Sequence, residues 1–359
     1  MLTLALVLVW AWPVVGAETG GRARIQLGQE YDTNAERVYS PTVSAPLARI
    51  VLEGQLRCLW QRHRLRLDYH GGFKAFYSHT SENLIVTRLV GEYAWIAPVG
   101  WVLGTRLKLH DASMKVHDRD YRLFDGAFFA RKRLLNWLLL ELFVGGRYYY
   151  FKPDDHMDYG LKLSHAGPVG GVHLYIRNGE DISATILYQA GFRFYWDPAQ
   201  MLKAGAVVES QTDRFDIQHM GGVEIRHRIR YFDELHLIIK MSYLVFVNDT
   251  NSYGSAAHWH RLRLVLSAQL PWRFTLHFMG TLQFTGYRDG IYVEGDLYEP
   301  EADENENSLV LRLSRPIWKG LSVFVHGAIY RNDFKSTELM VPAFERETIM
   351  AGVAYDVDF

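Results

Sequence analysis

The residues with most chemistry to offer in this chain are arginines and lysines set at alternate positions of short apolar-polar stretches, as in Arg64-Leu65-Arg66-Leu67-Asp68-Tyr69. Successive side chains of a strand point to opposite faces, so each such stretch puts its cations on one face and its aliphatics on the other. Taken along the whole sequence, the polar faces carry Arg64, Arg66, Arg88, Arg106, Lys108, Arg147, Arg193, Arg226, Arg228, Lys240, Arg261, Arg263, Arg273 and Arg312, against Asp68, Glu92, Glu141, Glu209, Glu224 and Asp356. A basic surface enclosed by low-dielectric walls raises the local concentration of anions. The competing reading is that these arginines form ladders that stiffen the wall. Catalysis finds little support, because no Gly-x-Ser-x-Gly nucleophile turn occurs. His258-Trp259-His260 puts two imidazoles on one strand face, but no third ligand is identifiable, so no metal is expected. Glu294, Asp296, Glu299, Glu301, Asp303, Glu304 and Glu306 form an acidic run that reads first as a solvated loop and second as a gate or cation site.

The elements that must carry these residues are strands. In 63–77, Leu65, Leu67 and Tyr69 alternate with Arg64, Arg66, Asp68 and His70; in 272–286, Phe274, Leu276, Phe278, Leu282 and Phe284 alternate with Arg273, Thr275, His277, Thr281 and Gln283. Such faces suit hydrocarbon on one side and water on the other. An Arg or Lys on the lipid side at mid-depth costs roughly 2–4 kcal/mol, which pins the register. The chain is 48% hydrophobic and holds 21 Tyr and 19 Phe, yet beyond its first residues no apolar run is long enough for a spanning helix. Hydrophobicity spread in small alternating doses is the signature of a transmembrane β-barrel. Trp60, Trp95, Trp101, Trp137, Trp196, Trp259, Trp272 and Trp318 lie near strand ends, where interfacial girdles form. Cys58 is the only cysteine, which rules out an intramolecular disulfide.

Strands are expected near 22–32, 47–60, 63–77, 84–97, 100–110, 120–132, 136–151, 158–166, 169–177, 181–195, 201–210, 218–230, 234–247, 257–269, 272–286, 307–315, 320–332 and 346–359. This gives an all-β, antiparallel, up-and-down barrel of about eighteen strands, with sixteen as the alternative. Connections alternate between long polar loops and short turns such as Gln61-Arg62, Gly167-Pro168 and Asp197-Pro198-Ala199. Short turns face the periplasm in bacterial barrels, and an even count puts both termini there as well. The cut at Gly167-Pro168 rests on the poor fit of proline in a central strand.

Both ends of the chain agree with export. Residues 2–15 are apolar and precede Gly16-Ala17, and small side chains at Val15 and Ala17 suit a signal-peptidase cut after Ala17, although no Lys or Arg precedes the run. The expected organisation is therefore a signal peptide, 1–17, followed by an outer-membrane barrel, 18–359. The last strand alternates Val353, Tyr355, Val357 and Phe359 with Gly352, Ala354, Asp356 and Asp358. It resembles the C-terminal signature of Gram-negative outer-membrane barrels, which implies that Tyr355, Val357 and Phe359 are read by the barrel insertion machinery.

Two further features extend the resemblance. Tyr31-Asp32-Thr33-Asn34 looks like the Tyr-Asp-x-Asn signature at the start of barrels encoded with exopolysaccharide systems. The plan of a signal peptide followed directly by the barrel is similar to polysaccharide-export porins of the Wzp type, and to the barrel part of the poly-N-acetylglucosamine exporter without its tetratricopeptide domain. This resemblance implies export of a polysaccharide through a cationic lumen, with a periplasmic export protein as partner and Tyr175, Phe324 and Tyr330 stacking on sugar rings. A diffusion porin for small anionic solutes is the alternative, and a surface enzyme or adhesin on a barrel scaffold a third. Neither a cofactor nor a nucleic-acid partner is expected.

Overall fold

In a computed structural model the described residues are 18–34, 42–114, 120–152, 164–204, 206–232, 235–288, 307–332 and 344–359. The signal-peptide reading and the whole acidic run lie outside them. Sixteen antiparallel strands follow one another in sequence: β1 (Glu18–Asp32), β2 (Ala45–Trp60), β3 (His63–Phe76), β4 (Leu84–Ile96), β5 (Trp101–Met114), β6 (Asp120–Leu135), β7 (Leu138–Lys152), β8 (His165–Asn178), β9 (Ile182–Lys203), β10 (Ala206–Phe232), β11 (Leu235–Thr250), β12 (Ala257–Leu270), β13 (Phe274–Tyr287), β14 (Asn307–Trp318), β15 (Leu321–Asn332) and β16 (Phe344–Asp358). Each pairs with its sequence neighbours, and β1 pairs with β16, closing the barrel. Closure leaves no strand edge to be satisfied in lipid.

Following Cα partners once around the circuit displaces the register by about 20 residues, which for sixteen strands corresponds to a tilt of about 40° and a backbone radius of about 16 Å. The displacement is even, as unbroken alternation of faces requires. The same geometry gives every residue a height along the axis, at about 2.5 Å per residue. Trp60, Trp95, Trp101, Trp137, Trp272 and Trp318 then fall within about 6 Å of one level near the end that carries both termini. Outward Tyr31, Phe124, Tyr148, Tyr150, Phe194 and Phe284 form a second band about 28 Å higher. Between them the outer face is aliphatic and exposed, with Leu27, Leu107, Leu282 and Val325 among its residues. This is a lipid belt between aromatic girdles. Trp259 is not part of either girdle: it points inward, 4% exposed.

The count of sixteen corrects the expectation of eighteen at two places. Pro168 does not end a strand. It sits inside β8, opposite Gly146 of β7, while the ladder to β9 skips Gly167 and Pro168 and resumes at Val169. The missing proline N–H falls in that gap, and the β9 backbone comes so near Gly167 that any side chain there would strike the Phe192 carbonyl. Residues 201–210 are likewise not a separate strand. β9 and β10 extend as one hairpin that doubles back after Ala204, so Asp197-Pro198-Ala199 is strand rather than turn. The β11–β12 connection braces this extension through Tyr253 N–H to Gln200 O at 2.9 Å and Asn251 Nδ2 to Asp213 O at 3.0 Å.

Candidate functional site

Reach across intervening strands identifies the polar face as the inner one, because side chains converge only on a concave surface. Arg312 of β14 donates to Gln26 Oε1 of β1 at 2.7 Å, over β15 and β16. Lys74 of β3 lies 3.4 Å from Glu30 of β1, and Arg131 of β6 donates to Glu92 of β4 at 2.7 Å. Cross-strand partners share a face, so these contacts fix the inward set on every strand.

The inner wall has two unlike stretches. Over β4–β8, acids and bases are locked together. Glu141 is fully buried against Arg131 Nε, Arg106 Nη2 at 3.4 Å and His173 Nδ1 at 3.3 Å. Glu92 takes hydrogen bonds from Arg131 at 2.7 and 3.0 Å and from Arg106 at 3.0 and 3.1 Å. Next to them Arg147 grips Asp125 at 2.8 Å. Beside this network a recess of about 870 Å³ is lined by Arg66, Asp68, Arg88, Arg106, Arg131 and Tyr175, among others.

Across the lumen, the inner faces of β12, β13, β14 and β15 carry Arg261, Arg263, His277, Arg312 and His326 and no carboxylate. Neutral groups hold these cations in place. Arg261 lies over Trp259 at 4.1 Å and donates to Gln283 Oε1 at 2.8 Å, Arg263 donates to Met279 Sδ at 2.8 Å, and Arg312 lies over Phe324 at 4.0 Å. Arg24 and Arg22 of β1 continue the line downward toward Asp356, at 3.9 and 2.7 Å. Arg261, Arg263, Arg312, Arg24 and Arg22 thus descend the wall in order over about 20 Å.

An even-stranded closed barrel with an apolar belt, two girdles and a charged interior has one home. The chain is an outer-membrane β-barrel. Sixteen strands enclose more space than their side chains fill, which makes it a pore. No family model matches the sequence, and a comparison with curated proteins gives no match. Among solved structures it is similar to a bacterial polysaccharide outer membrane secretin (10% identity, 93% of this chain and 98% of that one, TM-score 0.43), Salmonella typhi OmpF in complex with daunomycin (11%, 95% and 97%, 0.49) and an anion-selective porin from Comamonas acidovorans (10%, 95% and 100%, 0.44). Likeness at this level says nothing of what passes through the pore.

Of the residues singled out in the sequence, Arg64, Arg66, Arg88, Arg106, Lys108, Arg147, Arg193, Arg226, Arg228, Lys240, Arg261, Arg263 and Arg312 all stand on the inner face. Arg273 does not. Pro271 ends the ladder, and residues 271–273 make the β12–β13 turn with Trp272 and Arg273 at φ 59° and 64°, so the arginine sits on the rim. Tyr175 lines the recess with its hydroxyl 3.2 Å from His173 Nδ1. Phe324 is buried under Arg312, and Tyr330 lies beside Arg346 at 5.5 Å. His258 and His260 face outward, with Tyr243 Oη 2.8 Å from His260 Nδ1, and no group of three metal-ligating side chains occurs among the described residues. The sequence reading missed Arg22, Arg24, Arg49, Lys74, Arg131 and Arg346. Alternation in phase with neighbouring Leu and Ile would have found Arg24 and Arg49, whereas Arg131 hides in the run Arg131-Lys132-Arg133.

Tyr31-Asp32-Thr33-Asn34 serves the seam. Asp32 is fully buried and bound by Arg346; Asn34 Nδ2 donates to Glu345 O at 3.2 Å, and Thr33 N–H donates to Glu347 O at 3.0 Å. At the opposite end Gly21 and Phe359 exchange backbone hydrogen bonds of 2.8 and 3.0 Å, and Phe359 faces outward at the lower girdle with Val357 and Tyr355 outward above it.

Proposed function

We propose that the pore is a conduit for an extended anionic polymer, an acidic polysaccharide being the exported chain, delivered by a periplasmic partner. The observation that carries this reading is the descending arginine line, whose upper members Arg261, Arg263 and Arg312 stand on strands without an inward carboxylate. A small solute needs one constriction. A ladder of about 20 Å offers a long chain several equivalent anion contacts, so that the chain can advance without leaving a deep well. Selection of a small anion at a single place is favoured by the recess beside Tyr175, and gives the second reading: a diffusion porin for small anions.

Purified protein in planar bilayers separates the two. With an acidic polysaccharide such as alginate added, the conduit reading predicts long, voltage-dependent blockades that neutral dextran of the same size does not cause. They shorten at least tenfold in Arg24→Glu/Arg312→Glu. Current indifferent to polymer charge would overturn this reading and leave the small-anion porin.

A further inference from the structure

The outer face of β4–β7 departs from the smooth belt. Where larger residues stand elsewhere, outward Thr105 and Ala130 open a groove of about 610 Å³ bounded by Tyr93, Trp95, Leu103, Phe128 and Leu142. The groove begins at the terminus-side girdle and rises about 14 Å, close to half the thickness of a hydrocarbon core.

A cation marks its lower end. Lys132 pairs across the sheet with Trp101 and Leu140, which places it on the outer face, and its Nζ lies 5.1 Å from the Trp101 ring at girdle height. A lysine facing lipid is tolerated there because its ammonium reaches the headgroup layer. The nearby carboxylates Glu92 and Glu141 both point into the lumen, so none among the groove's own lining residues neutralises it. On the other flank Trp60, His63 and Tyr93 form a stacked group, with Tyr93 Oη 2.7 Å from His63 Nδ1. The result is an apolar slot of one-leaflet length with a positive charge and aromatic hydrogen-bonding groups at its headgroup end.

We propose that this groove is a binding site for one anionic phospholipid, an acyl chain lying over Thr105 and Ala130 and the phosphate resting on Lys132. Charge and depth together select this occupant.

The test is native mass spectrometry of protein extracted in mild detergent and supplied with either phosphatidylglycerol or zwitterionic phosphatidylcholine. Wild type is expected to retain one phosphatidylglycerol at least tenfold better than phosphatidylcholine. Lys132→Gln should abolish the preference, and Thr105→Trp, which fills the slot, should abolish retention of both. A folded Lys132→Gln variant with unchanged preference would overturn the proposal, as would a wild-type dimer that Thr105→Trp dissociates. Heat-modifiable migration confirms that each variant is folded, and Lys132→Arg should restore the preference.

Discussion

Arg346 of β16 closes on Asp32 of β1 across the barrel seam, with Nε 2.9 Å from both carboxylate oxygens and Nη2 2.5 Å from Oδ2. Both side chains are almost fully enclosed. The first and last strands of the chain are therefore joined by a two-pronged ion pair at the loop end and by the Gly21–Phe359 backbone exchange at the other.

Removing one partner leaves a buried charge unmatched, so Asp32→Ala or Arg346→Ala should each destabilise the barrel by about 3–5 kcal/mol. Replacing both with an apolar pair, Asp32→Leu/Arg346→Met, should cost less than either single change. Urea unfolding in lipid vesicles, followed by tryptophan fluorescence, measures this. Equal stability of Asp32→Ala and wild type would show that the seam does not depend on the pair.

The faces give a sharper contrast. Leu107 points outward at mid-belt and Val265 inward at nearly the same height. Leu107→Arg should cost roughly 2–4 kcal/mol, whereas Val265→Arg, in contact with the lumen, should cost under about 1 kcal/mol. The same unfolding assay compares them, and similar losses would mean that the register of β5 or β12 is misassigned.

The last strand is the expected signal for assembly. Phe359→Ala should reduce the heat-modifiable, folded fraction in outer membranes several-fold by weakening recognition by the insertion machinery. Val357→Thr should reduce it less. Pulse-labelled cells show whether unfolded precursor accumulates, and normal assembly of both variants would remove Phe359 from that role.

The barrel was legible wherever lipid imposes a rule on sequence. Leu65, Leu67 and Tyr69 must face hydrocarbon, so Arg64, Arg66 and Asp68 had to face inward, and they do. Legibility fails where that rule lapses. The β9–β10 hairpin continues past the upper girdle, where nothing requires an alternating lipid face, and Asp197-Pro198-Ala199 therefore imitates a turn. Likewise Arg131-Lys132-Arg133 presents cations to both faces because Lys132 sits at the interface, so the run carries no phase. The carboxylate-free stretch over β12–β15 stands in the sequence as the gap between Glu224 and Asp356 among the inward acids, whereas the locking of Glu92 and Glu141 by Arg106 and Arg131 was not legible, since it depends on contacts that reach across intervening strands.

The contrast between these two stretches is the centre of the account, and reversal potential in a tenfold KCl gradient tests it most directly. Wild type should be anion-selective. Arg263→Glu/Arg312→Glu, on the carboxylate-free wall, should shift the potential toward or past zero, while Arg66→Gln, beside Asp68 at 2.6 Å, should shift it little. A cation-selective wild type, or equal shifts from the two sets of variants, would contradict it.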